Sequence, residues 1–156
     1  MATQLLSNNL KAVLFPDTMQ DDGNNVQKEK CYTIQQFNYR NERSRNDVGY
    51  PYGPANPMTM SFTVRLVQPE EGLVYHKQLI ENDPTNFTIL FNATFNENQR
   101  LKAFDNALIV DGYVIDVEDD FSAGDKDNQM LIRIKLFVRS ITYKGKMKDT
   151  VLEINS

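Results

Sequence analysis

Few side chains in this 156-residue sequence have the chemistry of a reactive centre, and their spacing decides what they can do. His76 is the only histidine and falls within a stretch of helical spacing. A catalytic base needs a nucleophile and an orienting partner within reach, and neither stands near it in sequence, so a surface or packing histidine is expected. Cys31 is the only cysteine. It permits no internal disulfide and no cysteine-based zinc site, and inside a strand it reads as a small buried side chain rather than a nucleophile. Asp21 and Asp22 stand in a turn cluster with Gly23, Asn24 and Asn25, but the ligand spacing and closing Glu of an EF-hand loop are missing. The richest constellation is the acidic row Asp116, Glu118 and Asp120, with Asp119 beside it and Asp125 and Asp127 in the following turn. At a spacing of two, such carboxylates share one face of a strand, where they can hold a cation, oppose a basic neighbour such as Arg43 or Arg45, or simply meet water. No phosphate-cradling glycine loop, histidine pair or nucleophile elbow is present. Neither an enzyme nor a cofactor or metal site is expected.

The elements around these residues are mostly strands. From Ala107 to Ile141 two long runs flank a polar reversal, Ser122 to Asn128. In the second run Met130, Ile132, Ile134, Leu136 and Val138 alternate with Arg133, Lys135 and Arg139, the period of a half-buried strand. Met58 to Val67 alternates as cleanly, with Met58, Met60, Phe62, Val64 and Leu66 on one face and Thr59, Ser61, Thr63 and Arg65 on the other. Leu10 to Phe15, Lys30 to Arg40, Asn86 to Phe95 and Gln99 to Phe104 read as further strands, and Val151 to Ile154 as a small terminal one. In Lys30 to Arg40, Tyr32 and Ile34 fall opposite Cys31, Thr33, Phe37 and Tyr39; neither face is purely apolar, as befits an edge or a subunit contact. Glu70 to Asn82 switches to helical spacing, with Leu73, Val74, Lys77 and Ile80 near one face, acids at its start and Asn82-Asp83-Pro84 at its end.

Asn41 to Pro57 is the least regular stretch. It holds Pro51, Pro54 and Pro57, two glycines, Tyr50, Tyr52, Arg43 and Arg45. Prolines stiffen the backbone and remove donors, and Tyr and Arg are the residues that anchor interfaces. The expectation is a semi-rigid extended loop that makes a contact surface, with a loop folded over its own barrel as the alternative. One domain, 1–156, is expected from the length. Nine Phe and seven Tyr with no Trp suit a sheet-dominated interior. A net charge of −4 argues against a dedicated nucleic-acid binder. No apolar run approaches the ~20 residues that cross a bilayer, and the first ten residues lack the pattern of a signal peptide. Synthesis in the cytoplasm without membrane insertion is therefore expected, with later export by a machine that needs no cleavable signal left open. The order β-β-β-α-β-β-β-β with antiparallel neighbours favours a mainly β protein, an antiparallel barrel that removes its own edges.

This order and patterning resemble the tube protein of type VI secretion systems, the Hcp family, most of all its Bacteroidetes branch (TssD). The matching stretches are Tyr32 to Arg40, the polar loop Asn41 to Pro57, Met58 to Val67, Glu71 to Ile80, the step Leu101-Lys-Ala-Phe-Asp-Asn-Ala107, and Met130-Leu-Ile132 leading into the last long strand. The likeness covers roughly Leu10 to Ile141 and departs from the family in the longer proline-rich loop and in the extension 142–156. It implies a β-barrel with one flanking α-helix that closes into a hexameric ring. Rings of the family stack into an inner tube that a contractile sheath expels with a spike, sometimes with effectors in the lumen. On that reading the loop 41–57 reaches the neighbouring ring through Arg43, Arg45, Tyr50 and Tyr52. Thr59, Ser61, Thr63 and Arg65 face the lumen, and Asp116 and Glu118 make subunit contacts. A phage-like tail tube or baseplate subunit, or a monomeric carbohydrate- or calcium-binding β-module, are the competing readings.

Overall fold

The structure, a computed structural model, describes residues 11–20, 23–40, 43–45, 51–55, 58–122, 129–145 and 150–153. In chain order the strands are β1 (Ala12–Phe15), β2 (Tyr32–Arg40), β3 (Arg43–Arg45), β4 (Pro51–Ala55) and β5 (Met58–Leu66). The helix α1 (Leu73–Glu81) follows, then β6 (Pro84–Phe91), β7 (Thr94–Phe95), β8 (Leu101–Ala103), β9 (Asn106–Ser122), β10 (Gln129–Lys144) and β11 (Thr150–Glu153). The main sheet runs β11-β10-β5-β2-β1-β6-β9, and β9 pairs back onto β10. That last pairing closes six antiparallel strands into a barrel, with β11 left outside the circuit. Closure satisfies the backbone groups that an open sheet would present to other chains.

The barrel is filled by the apolar faces expected from the alternation. Met58, Met60, Phe62, Val64, Ile132, Ile134, Leu136 and Val138 are buried, and they pack with Leu14, Phe87, Ile89, Leu108 and Val110. Phe62 and Phe87 meet with ring centroids 5.3 Å apart, within the usual range for paired aromatics. A second cluster of Phe15, Met19, Val26, Leu90 and Ala107 lies on the far side of the wall formed by β1, β6 and β9. Here β6 is buried on both faces, which is why Thr88 and Leu90 are as enclosed as Phe87 and Ile89. Thr88 survives burial because its hydroxyl accepts from the Met19 N–H at 2.9 Å and donates to the Asp17 carbonyl at 2.9 Å.

Two elements depart from their expected patterning. In β2 the pairing with β5 slips between Ile34 and Gln36, so Ile34 faces Val64 while Phe37 faces Phe62 and Tyr39 faces Met60. The extra residue is a β-bulge, and it moves everything beyond it to the other face. Phe37 and Tyr39 thus join Tyr32 and Ile34 on the core side instead of opposing them. In α1 the expected apolar face points to solvent: Leu73, Val74 and Ile80 are 61%, 48% and 81% exposed. The inward residues are Tyr75, which is buried, and Leu79, an i, i+4 pair that packs against the barrel core. Apolar residues occur on both sides of this short helix, so spacing alone could not choose between them.

What fixes the helix is its entry. Pro69–Gly72 forms a 3₁₀ turn, and one oxygen of the Glu71 carboxylate accepts the N–H of Val67 at 3.0 Å and that of Gln68. The Tyr32 hydroxyl also bonds to Glu71; burial first, and this carboxylate second, push the Tyr32 phenol up to about 12. At the other end Asn82 takes a left-handed conformation (φ 56) and ends the helix as a C-cap.

Candidate assembly surfaces

The bulges set the rows of side chains on the outer face of β2, β5, β10 and β9. Gln36 stands opposite Thr63, Thr63 opposite Arg133, and Arg133 opposite Glu118. The next row is Asn38, Ser61, Lys135 and Asp116, and the one beyond it begins with Arg40, Thr59 and Phe137. Directly opposed residues on antiparallel strands share a face. The residues expected to face a lumen and the carboxylates expected at a subunit contact therefore belong to one surface. Two of its rows line a shallow cavity of about 250 Å³ that includes Asn38, Ser61, Asp116 and Lys135. Ser61 and Arg65 are exposed and Thr59 is half-buried, whereas Thr63 is only 8% exposed, held down between neighbours on both sides.

The charges of this wall are largely matched within the chain. Arg133 lies between Glu118 and Asp120, 3.8 Å from an oxygen of each, and Lys135 is the cross-strand partner of Asp116. At more than half exposure for Arg133 and Glu118, pairs at this distance contribute little to stability, on the order of 0–1 kcal/mol. They do remove net field from the surface. A slip between Lys135 and Leu136 leaves Ile115 as the extra residue on β9, 47% exposed. A second slip beside Arg139 lets that guanidinium reach Asp111, with Nη2 2.5 Å and Nε 2.7 Å from the same carboxylate oxygen, and it lies 5.6 Å from the centre of the Tyr113 ring.

The stretch 41–57 is more regular than expected. Among the described residues β3 and β4 pair antiparallel, Arg43 with Ala55 and Arg45 with Pro51, with a slip between the two pairs and a register shifted from that of β2–β5, which ends at Arg40 opposite Thr59. This two-stranded ribbon, the arm, is a sheet of its own that lies between β2 and β5 in the sequence. Arg43 and Arg45 lie on β3 and Tyr52 on β4; Tyr50 lies outside the described residues.

The remaining candidates have structural partners. His76 Nε2 is 2.9 Å from Asp119 Oδ2, tying α1 to β9, with both side chains about one-third exposed. Burial pushes the Cys31 thiol up to about 11, far from nucleophilic character at neutral pH. Among the described residues no group of three or more His, Cys, Asp or Glu could hold a metal ion, and no helix is long and apolar enough to cross a membrane. Asp21, Asp22, Asp125 and Asp127 lie outside the described residues.

No protein-family model matches the sequence, and no curated protein matches it. Solved structures do. The closed six-stranded antiparallel barrel with its single flanking helix matches the fold of the Hcp proteins. An Hcp protein matches with a TM-score of 0.67 at 10% identity, over 94% of this chain and 99% of its own. An Hcp protein of Flavobacterium johnsoniae matches with a TM-score of 0.62 at 11% identity, over 92% and 99%. One of E. coli matches with 0.59 at 13%, over 92% and 97%.

Proposed function

We propose that this chain is the structural subunit of a type VI secretion inner tube, closing hexameric rings that stack and are expelled with a spike. The observation that carries this reading is the likeness of its barrel and helix to an Hcp protein, over 94% of one chain and 99% of the other. The surfaces agree with such a role. A barrel closed on itself leaves its polar wall and its arm for contacts with other copies. The wall of β2, β5, β10 and β9, with Thr59, Ser61, Thr63 and Arg65 along its middle, lines the lumen. Its balanced charges offer cargo no strong field of either sign. On this reading Asp116 and Glu118, on the β9 flank of that wall, meet the β2 side of the next copy, where the arm carries Arg43 and Arg45. Charge-assisted pairs there would set the register between copies. Arg43, Arg45, Tyr50 and Tyr52 carry the arm's contacts to the neighbouring ring, and sheath, spike and effector proteins are the further partners.

Size exclusion coupled to light scattering tests the ring directly. The expected species is six times the 18.0 kDa chain mass. A monomer at every concentration, with a melting temperature raised by calcium or a saccharide, would instead mark a monomeric binding module.

A further inference from the structure

The helix α1 turns an apolar face to solvent. Leu73, Val74 and Ile80, with Lys77 and Glu81 at the margin, line a shallow cavity of about 490 Å³. The opposite face is engaged, since Tyr75 and Leu79 pack on the barrel core and His76 holds Asp119. A contiguous apolar patch of this kind marks a contact site. Among the described residues, the other strongly exposed large apolar side chains stand at the turn into α1 (Val67), on β9 (Ile115, Phe121) and near the end of β10 (Tyr143). One more, Tyr39 at 49% exposure, stands on β2, at the opposite flank of the wall.

The pairings set Tyr39 and α1 at one level. On the core side of the wall Tyr39 is opposite Met60, Met60 opposite Leu136, and Leu136 opposite Val114. The helix lies along that part of β9: His76 meets Asp119, and Pro84, just past the helix, is opposite Tyr113. Both flanks run on beyond the pairings that close the circuit. β1 pairs with β2 only from Tyr32 to Ile34, and β2 continues to Arg40; β6 pairs with β9 only from Asn106 to Tyr113, and β9 continues to Ser122. Each flank therefore carries an exposed apolar group, at matching height, on the side of the wall away from its polar face.

We infer that α1 of one copy seats Tyr39 of a second copy of this chain. The ring lies on Leu73, Val74 and Ile80, and the hydroxyl reaches the polar margin at Lys77 and Glu81. Tyrosine suits such a seat, because its body is apolar, its tip is polar and it loses little freedom on binding. Seat and anchor stand at opposite flanks, so the contact is head to tail and repeats from copy to copy instead of closing a pair. The inference deepens the tube reading and rests on it for the closure of the repeat into a ring.

The test is disulfide formation between copies in a Cys31→Ser background. A chain carrying Tyr39→Cys with Val74→Cys, or Tyr39→Cys with Ile80→Cys, should give under mild oxidation a ladder of linked chains on a denaturing gel. Either cysteine alone should stop at linked pairs. Ile80→Asp, at a side chain 81% exposed, should leave the melting temperature unchanged and raise the concentration at which rings dissociate by about tenfold or more. Rings that form without a ladder from either pair, and that withstand Ile80→Asp, overturn the inference and leave the tube reading standing. A ladder without closed rings upholds the seat and ends the tube reading. With neither rings nor ladder, both fall.

Discussion

At the scale of single residues, Gly112 is the position where the barrel tolerates least. A Cβ there would lie 2.2 Å from the Phe137 carbonyl oxygen, a backbone atom across the β9–β10 pair that cannot step aside. Gly112→Ala should cost about 1–3 kcal/mol or more in urea unfolding, and a change within error would show that the two strands are less closely apposed. Three groups also set an alkaline limit. Burial raises the Cys31 thiol from 9.0 to about 11 and, with Glu71, the Tyr32 phenol from 10.0 to about 12; burial raises Tyr75 further. Each ionises in the unfolded chain before it does in the folded one. The stability they contribute is therefore full below their ordinary values and is lost as pH rises through the folded ones. Thermal stability should fall from about pH 9 upward, and Tyr75→Phe should flatten the fall above pH 10. Parallel curves for the two proteins would remove Tyr75 from the account.

The elements show which parts of the design could be read in advance. β5 and β10 were legible because each keeps a strict period of two against one core, from Met58 to Leu66 and from Met130 to Val138. Bulges have no signature in composition. The extra residue at Gln35–Gln36 hides from any alternation count, and it returns Phe37 and Tyr39 to the core side. The polar wall was legible strand by strand, but not as one surface, because only register reveals that Ser61, Lys135 and Asp116 stand in a row. The arm's prolines argued for irregular chain; β3 and β4 nonetheless pair, with a slip between Arg43 and Arg45. Glu71 is the residue that sequence reasoning passed over. Its place three residues after Gln68, just past Pro69, was the available signal. Glu71→Ala takes the shared acceptor from Val67 and Gln68 and the partner from Tyr32. A loss of about 1–3 kcal/mol is expected, with faster amide exchange across α1; an unperturbed helix would mean that Tyr75 alone holds it down.

For the whole molecule the decisive feature among the described residues is that the six barrel strands leave one another no open edge along the circuit. Six strands satisfy one another in a circuit, α1 lies against β9, and β11 covers the overhanging end of β10. The tube reading assigns contacts between copies to the charge-matched polar wall and to the arm built on β3 and β4. Removing Tyr50 to Pro54 shortens that arm without touching the barrel, so rings should persist while stacks become rare in sedimentation; stacks of unchanged length would take the arm out of ring-to-ring contact. The central claim, that identical copies close into an annulus, is tested most directly by class averages of the purified protein in negative-stain electron microscopy. The account predicts rings of sixfold symmetry, singly and in short columns, and a field of solitary 18.0 kDa particles at high protein concentration would contradict it.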